Sequence, residues 1–194
     1  MKENDTPALI VIDVQQGFDD PYWGQRNNPD AEKQVALLLS AWRRAKYPII
    51  HFQHLSLESN SPLREDRPGH VFKPEAEPGD GELIMTKHVN SCFIGTQLEE
   101  TLRIGKIHRV VLCGLTTDHC VSTTTRMAGN LGFTTYVVSD ATATFGKSLP
   151  DGTAFDADLV HRVALASLHN EFAEVLTAGQ VLGKFGLLGI TISK

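Results

Sequence analysis

Three residues far apart in the chain carry the side chains that thiol chemistry requires. Cys120 ends the run Gly114-Leu115-Thr116-Thr117-Asp118-His119-Cys120, directly after an apolar segment and at the foot of a predicted helix. A thiol there feels the positive end of the helix dipole, which favours the thiolate that attacks carbon. Asp13 closes the apolar run Ala8-Leu9-Ile10-Val11-Ile12, and Lys87 closes Leu83-Ile84-Met85-Thr86. Amide hydrolysis by a thiol needs a base for the thiol proton, a positive group to hold the charged state, and amide donors for the tetrahedral oxyanion. A carboxylate, an ammonium and a helix-start cysteine supply that set. Each residue also has an ordinary role: the aspartate as a loop cap, the lysine as a solvated strand end, the cysteine as a small packing residue. Buried together, Asp13 and Lys87 would each favour the other's charged form while desolvation opposes both, so their titrations are coupled.

The elements that must position these residues are legible from patterning. Ala8 to Val14 is apolar and β-branched, as a strand covered on both faces of a parallel sheet requires. Pro29-Asp30 opens a helix over 31–45, with Val35, Leu38, Leu39 and Trp42 on one stripe. Strands follow over 47–53, 83–86, 109–113, 133–139 and 173–176. Helices are predicted over 95–103, from Thr117 or Asp118 (either able to cap it) to Gly129 or Gly132, and over 155–169. The last of these sets Leu159, Val163, Ala166 and Leu168 or Asn170 near its inner side. About six strands alternating with helices predict an α/β fold, a three-layer α/β/α sandwich on a mainly parallel, Rossmann-like sheet. In such a sheet ligands bind beyond the carboxyl ends of the strands, where the strand order reverses, and Asp13, Lys87 and the Cys120 turn all map to that edge. Residues 54–81 change to Pro, Glu, Arg, Ser and Gly without periodicity and read as a flap-like loop over a site. The tail over 179–194 is apolar but weakly patterned, its role open.

Bulk properties narrow the classes. A length of 194 residues and 41% apolar content fit one domain spanning the chain. A net charge of -5 with scattered lysines and arginines gives no field for nucleic acid or anionic lipid. Three widely spaced cysteines argue against a disulfide framework and a thiolate zinc site, and point to a reducing, cytoplasmic location. The N-terminal residues are polar and acidic, and no apolar stretch approaches the roughly 18 residues of a membrane span, so secretion and insertion lack a signal. The partner expected is a small-molecule substrate. A dinucleotide is not expected, since Asp13-Val14-Gln15-Gln16-Gly17 stands where a GxGxxG would follow the first strand.

Ile12-Asp13-Val14-Gln15-Gln16-Gly17-Phe18, then Thr86-Lys87-His88-Val89-Asn90-Ser91-Cys92-Phe93 with Gly95-Thr96-Gln97-Leu98, then Gly114 through Val121 with Thr124, Arg126 and Ala128, resemble the isochorismatase-like cysteine hydrolases, relatives of the nicotinamidases. The motifs come in that family's order from Leu9 to about Leu176. The resemblance implies a triad of Asp13 as general base, Lys87 as electrostatic partner and Cys120 as nucleophile, with a thioester intermediate. It also implies a cis peptide between Leu115 and Thr116, an oxyanion hole from the Thr116 and Cys120 amides, and a homo-oligomer, dimeric or larger. Vinyl-ether-cleaving isochorismatases usually lack the cysteine, so Cys120 favours attack on an amide or ureido C–N bond. The alternatives kept are a vinyl-ether hydrolase and a non-catalytic small-molecule-binding protein on this fold.

Metal-binding nicotinamidases carry an Asp-x-His pair after the second strand. Here the stretch is Ile50-His51-Phe52-Gln53-His54, with Gln53 where that aspartate would stand. On a strand, His51 and His54 point to opposite faces, so no metal and no other cofactor is expected. Phe18, Trp23, Phe93 and His119 are the candidate substrate-binding residues, with Tyr22 and Phe145 nearby. Arg64 and Arg67 in the long loop are either solvated or placed to grip a carboxylate.

Overall fold

In the computed structural model the described residues are 6–188. Strand β1 (Ala8–Ile12) lies inside a six-stranded sheet with β2 (Ile49–His54), β3 (Leu83–Lys87), β4 (Arg109–Leu115), β5 (Thr134–Ala143) and, after the short hairpin strands β6 (Lys147–Ser148) and β7 (Ala154–Phe155), β8 (Glu174–Leu176). The sheet order is β3-β2-β1-β4-β5-β8 and every pairing in it is parallel. The chain runs outward from β1 to β2 to β3, then returns to the other side of β1 with β4, so the order reverses between β1 and β4. That is the crevice at which open α/β sheets bind ligands.

Both faces are covered because both faces of the strands are apolar. Leu9 and Val11 point into one core with Val35, Leu38, Leu39 and Trp42 of α1 (Ala31–Ala45) and Val181 and Leu182 of α5 (Ala178–Lys184). Ala8, Ile10 and Ile12, alternate residues of the same strand, point into the other core. There they meet Leu98 and Leu102 of α2 (Leu98–Ile104), Ala128 of α3 (Ser122–Asn130), and Leu165 and Leu168 of α4 (Ala157–Leu168). The fold is a three-layer α/β/α sandwich, as the alternating pattern predicts. Among the described residues no helix is long and apolar enough to cross a membrane.

Four local expectations are corrected. The inner stripe of α4 is Ala157, His161, Leu165 and Leu168, whereas Leu159, Val163 and Ala166 face outward. The helix carries apolar residues on both stripes, and the buried one includes a histidine because Thr117 gives it a partner. No Thr117 or Asp118 cap opens the Cys120 helix: it begins as one π-helical turn, Thr117–Val121, with Thr116 before it and no side-chain cap. The hairpin β6/β7 was not expected, although Leu149-Pro150-Asp151-Gly152 between its strands is a strong turn signature. Part of the tail is the helix α5, locked by a capping box between Thr177 and Gln180; residues 189–194 of the tail lie outside the described residues.

The long loop after β2 is pinned to the segment after β1. The Gln16 amide donates to Val71 O at 2.9 Å and the Lys73 amide to Val14 O at 2.9 Å. Gly17 and Gly69 cross backbone against backbone, where a Cβ on Gly69 would lie 2.5 Å from Pro62 O and 2.7 Å from Gly17 Cα. Only glycine permits that approach.

Candidate active site

Asp13, Lys87 and Cys120 meet. Asp13 stands one residue beyond β1 with a positive φ of 52°, its amide donating to Phe52 O at 3.0 Å and its side chain fully buried. Lys87 ends β3 and is 1% exposed; its Nζ donates to Asp13 Oδ2 at 2.6 Å and lies 3.3 Å from Cys120 Sγ. Lys87 Nζ also contacts His54 Nδ1 at 3.1 Å and Val89 O at 3.2 Å. Cys120 is carried up from β4 through Gly114, the cis Leu115-Thr116 bond and the π turn. Gly114 has φ 116° and passes so near β1 that a Cβ would sit 2.0 Å from Ile12 O, so this position admits only glycine. The thiol donates to Asn90 Oδ1 at 3.6 Å.

The charges explain the resting state. Burial alone would depress the Lys87 pKa, but the Asp13 carboxylate reverses this and holds the ammonium charged well above its ordinary range. Burial, and then the Asp13 carboxylate, push the Cys120 thiol well above its ordinary value, with Lys87 opposing. The thiolate that a helix start would favour is therefore not the resting form: the thiol keeps its proton until a base removes it. Asp13 Oδ1 is buried without a hydrogen-bond partner, leaving one carboxylate oxygen free to accept a proton.

A cavity of about 180 Å³ opens over this group, lined by Asp13, His54, Thr116, His119 and Cys120, and walled by Phe18 and Trp23. The wall is rigid. Phe18 packs on Trp23 at 5.1 Å between centroids, both stack on the buried Phe145, and the Trp23 indole donates to Gly17 O at 2.8 Å. Ser56, Glu58, Ser61 and Leu63 of the 54–81 loop also line it, Leu63 in the same apolar cluster as Phe18. Asp118 accepts from Thr144, and burial alone would raise its pKa, but this bond and the nearby His119 and Lys147 charges hold it below the usual carboxylate range. His119 is half exposed beside it, with a pKa lowered mainly by burial.

Phe93 is not where substrate contact was expected. Its ring stacks on Phe133 at 6.0 Å and joins the core beneath α2, because the Cys92 amide next to it is fastened to Thr124 Oγ1 at 3.1 Å. Tyr22 is largely exposed, Arg64 pairs with Asp66, and Arg67 donates to Ser59 O, all off the cavity lining. Sequence reasoning missed Asn90 and weighed His54 only as a metal ligand; Asn90 lies inside the Thr86–Phe93 motif, which was the signal available.

One group of metal-type donors stands among the described residues: Asp13, His54 and Cys120, whose ligand atoms lie within 4.8 Å of one another. Lys87 Nζ lies 2.6 to 3.3 Å from all three, so a positive charge already occupies the place a cation would take. These donors do not fit a metal while Lys87 is charged. His51 turns to Glu82 Oε2 at 2.8 Å and does not join them.

A family model described as Isochorismatase domain matches residues 7–180. The uncharacterized isochorismatase family protein YrdC of Bacillus subtilis is 49% identical over 178 residues, covering 92% of this chain and 95% of that protein. The crystal structure of an isochorismatase-family protein from Chromobacterium violaceum superposes with a TM-score of 0.90 at 44% identity, covering 96% of both chains. Nicotinamidase 3 of Arabidopsis thaliana is 27% identical, covering 75% of this chain and 77% of that protein.

Proposed function

The chain belongs to the isochorismatase family of hydrolases, and from that premise we propose that it cleaves a small-molecule amide or ureido C–N bond through a thioester, with Asp13, Lys87 and Cys120 as its triad. The observation that carries this reading is the Lys87 ammonium seated between Asp13 Oδ2 at 2.6 Å and Cys120 Sγ at 3.3 Å, with the second Asp13 oxygen free. The name of the nicotinamidase relative supports a C–N bond as the target. The cavity volume of about 180 Å³ supports a substrate of few atoms.

The sequence of steps follows from these groups. Asp13 takes the thiol proton, Lys87 holds the resulting sulfur anion, and sulfur attacks the carbonyl carbon. The Thr116 and Cys120 amides stabilise the oxyanion. Asp13 returns its proton to the leaving nitrogen as the C–N bond breaks, leaving an acylated Cys120. Water then gives a proton to Asp13 and attacks the acyl carbon, and collapse releases the acid and restores the thiol. Phe18 and Trp23 exclude bulk water and hold the flat amide.

An ammonia-release screen over small amides and ureides, with intact-mass detection of an adduct on slow substrates, tests the reading. Cys120→Ala should lose at least about a thousandfold in turnover, the scale of removing a nucleophile. Undiminished turnover would overturn the thioester route, whereas no ammonia from any amide together with Cys120-independent cleavage of an enol-ether acid would point to vinyl-ether chemistry, which needs no sulfur. A Cys120 no more reactive to iodoacetamide than free cysteine would point to a binding protein.

A further inference from the structure

Of the three side chains that touch Lys87 Nζ, His54 is the one that the proposed steps leave without a task. An ammonium has hydrogen-bond donors and no lone pair, so at 3.1 Å from Lys87 Nζ the His54 Nδ1 can only accept. Nδ1 then carries no proton, and the proton of the neutral ring sits on Nε2. Among the described residues Nε2 has no hydrogen-bond partner, yet it is not a sealed-off buried atom, and His54 lines the cavity. A ring nitrogen of His54 lies within 4.8 Å of both the Asp13 carboxylate and Cys120 Sγ.

The ring is placed firmly. Gln15, fully buried, grips the His54 backbone from both sides: Oε1 accepts from the His54 amide at 2.9 Å and Nε2 donates to the His54 carbonyl at 3.1 Å. His54 also sits directly opposite Lys87 in the β2/β3 register. Burial, and then the Lys87 charge, push the ring toward neutrality; Asp13 and Glu58 act the other way, and His88 adds to Lys87.

We infer that His54 is a substrate-contacting residue, fixed by Lys87 as the Nε2–H tautomer and presenting that N–H to an acceptor on the substrate beside the carbon that Cys120 attacks. The favoured substrate class is an amide with a second acceptor next to the scissile carbonyl, such as a ureido oxygen or a ring nitrogen. The inference rests on the amide reading above.

Side-chain ¹⁵N–¹H correlation spectra of the whole protein read the tautomer without turnover. The expected result is a neutral Nε2–H ring from pH 5 to 8; an Nδ1–H ring, or one titrating near the ordinary value of about 6.5, overturns the inference. Picolinamide, an amide with a ring nitrogen beside its carbonyl, added to the Cys120→Ala protein should move both the His54 Nε2 and Trp23 indole resonances. Movement of Trp23 alone overturns the donor role, whereas movement of neither overturns the amide reading and the donor with it. For an amide with a second acceptor that the wild type hydrolyses, His54→Phe should lose at least tenfold in kcat/KM, mainly through KM, with part regained in His54→Gln. Wild-type kcat/KM in His54→Phe overturns the role.

Discussion

Removing the charge from Lys87 would leave the Asp13 carboxylate buried and alone. Both side chains are fully enclosed, so the loss is not cushioned by solvent. Breaking one side of such a pair costs about 3–5 kcal/mol, more than the pair itself contributes, because the remaining charge keeps its desolvation penalty. Lys87→Met should therefore unfold at markedly lower denaturant, and Asp13→Asn/Lys87→Met should recover part of the loss; chemical denaturation of the three variants measures it. A double variant less stable than Lys87→Met would sink this account. At this scale the sequence was informative about which residues meet, because each of the three ends an apolar run or follows one. It was not informative about protonation, which depends on how closed the cavity is over the sulfur. Nor could it show that Lys87 would make His54 an acceptor, since that follows from a strand register and not from spacing along the chain.

Between the residue and the molecule stand the elements, and several are held to one another by buried charge. Glu32 in the first turn of α1 pairs with Arg26 and with Lys73, whose Nζ lies 2.7 Å away and also reaches Asp19 at 2.5 Å. This joins the loop after β1 and the loop before β3 to one helix. Burial works against the Glu32 charge, but Arg26 and Lys73 outweigh it and lower its pKa from 4.5 to about 2. A carboxylate depressed on folding contributes stability that is complete above pH 4.5 and is lost as pH falls toward 2, here about 3 kcal/mol. Thermal unfolding followed from pH 6 to pH 2.5 should show this loss, and Glu32→Gln should flatten it; an unchanged slope would remove Glu32 as the cause. Elements were legible where one periodicity dominated, as in α1. They were not where two stripes competed, as in α4, whose inner face carries His161 because Thr117 Oγ1 lies 2.9 Å from its Nδ1. The π turn left no local signature, since it comes from the geometry after Gly114.

For the molecule as a whole, the sheet order brings chemistry together from unequal positions. Asp13 and Cys120 follow central strands, paired on both sides. Lys87 ends β3, which among the described residues pairs only with β2 and leaves Leu83 and Ile84 40% and 49% exposed. The cation of the proposed triad thus hangs from an edge strand of the sheet. Fraying there would carry the ammonium away from its partners while the helices stood intact. Mild urea should accordingly silence hydrolysis before far-ultraviolet dichroism registers any melting, and a single shared midpoint for both signals would mean that the border strand is as firmly kept as the centre. If activity is lost first, the catalyst has a built-in weak hinge at its margin, and its working range is set by one peripheral strand and not by the stability of its core.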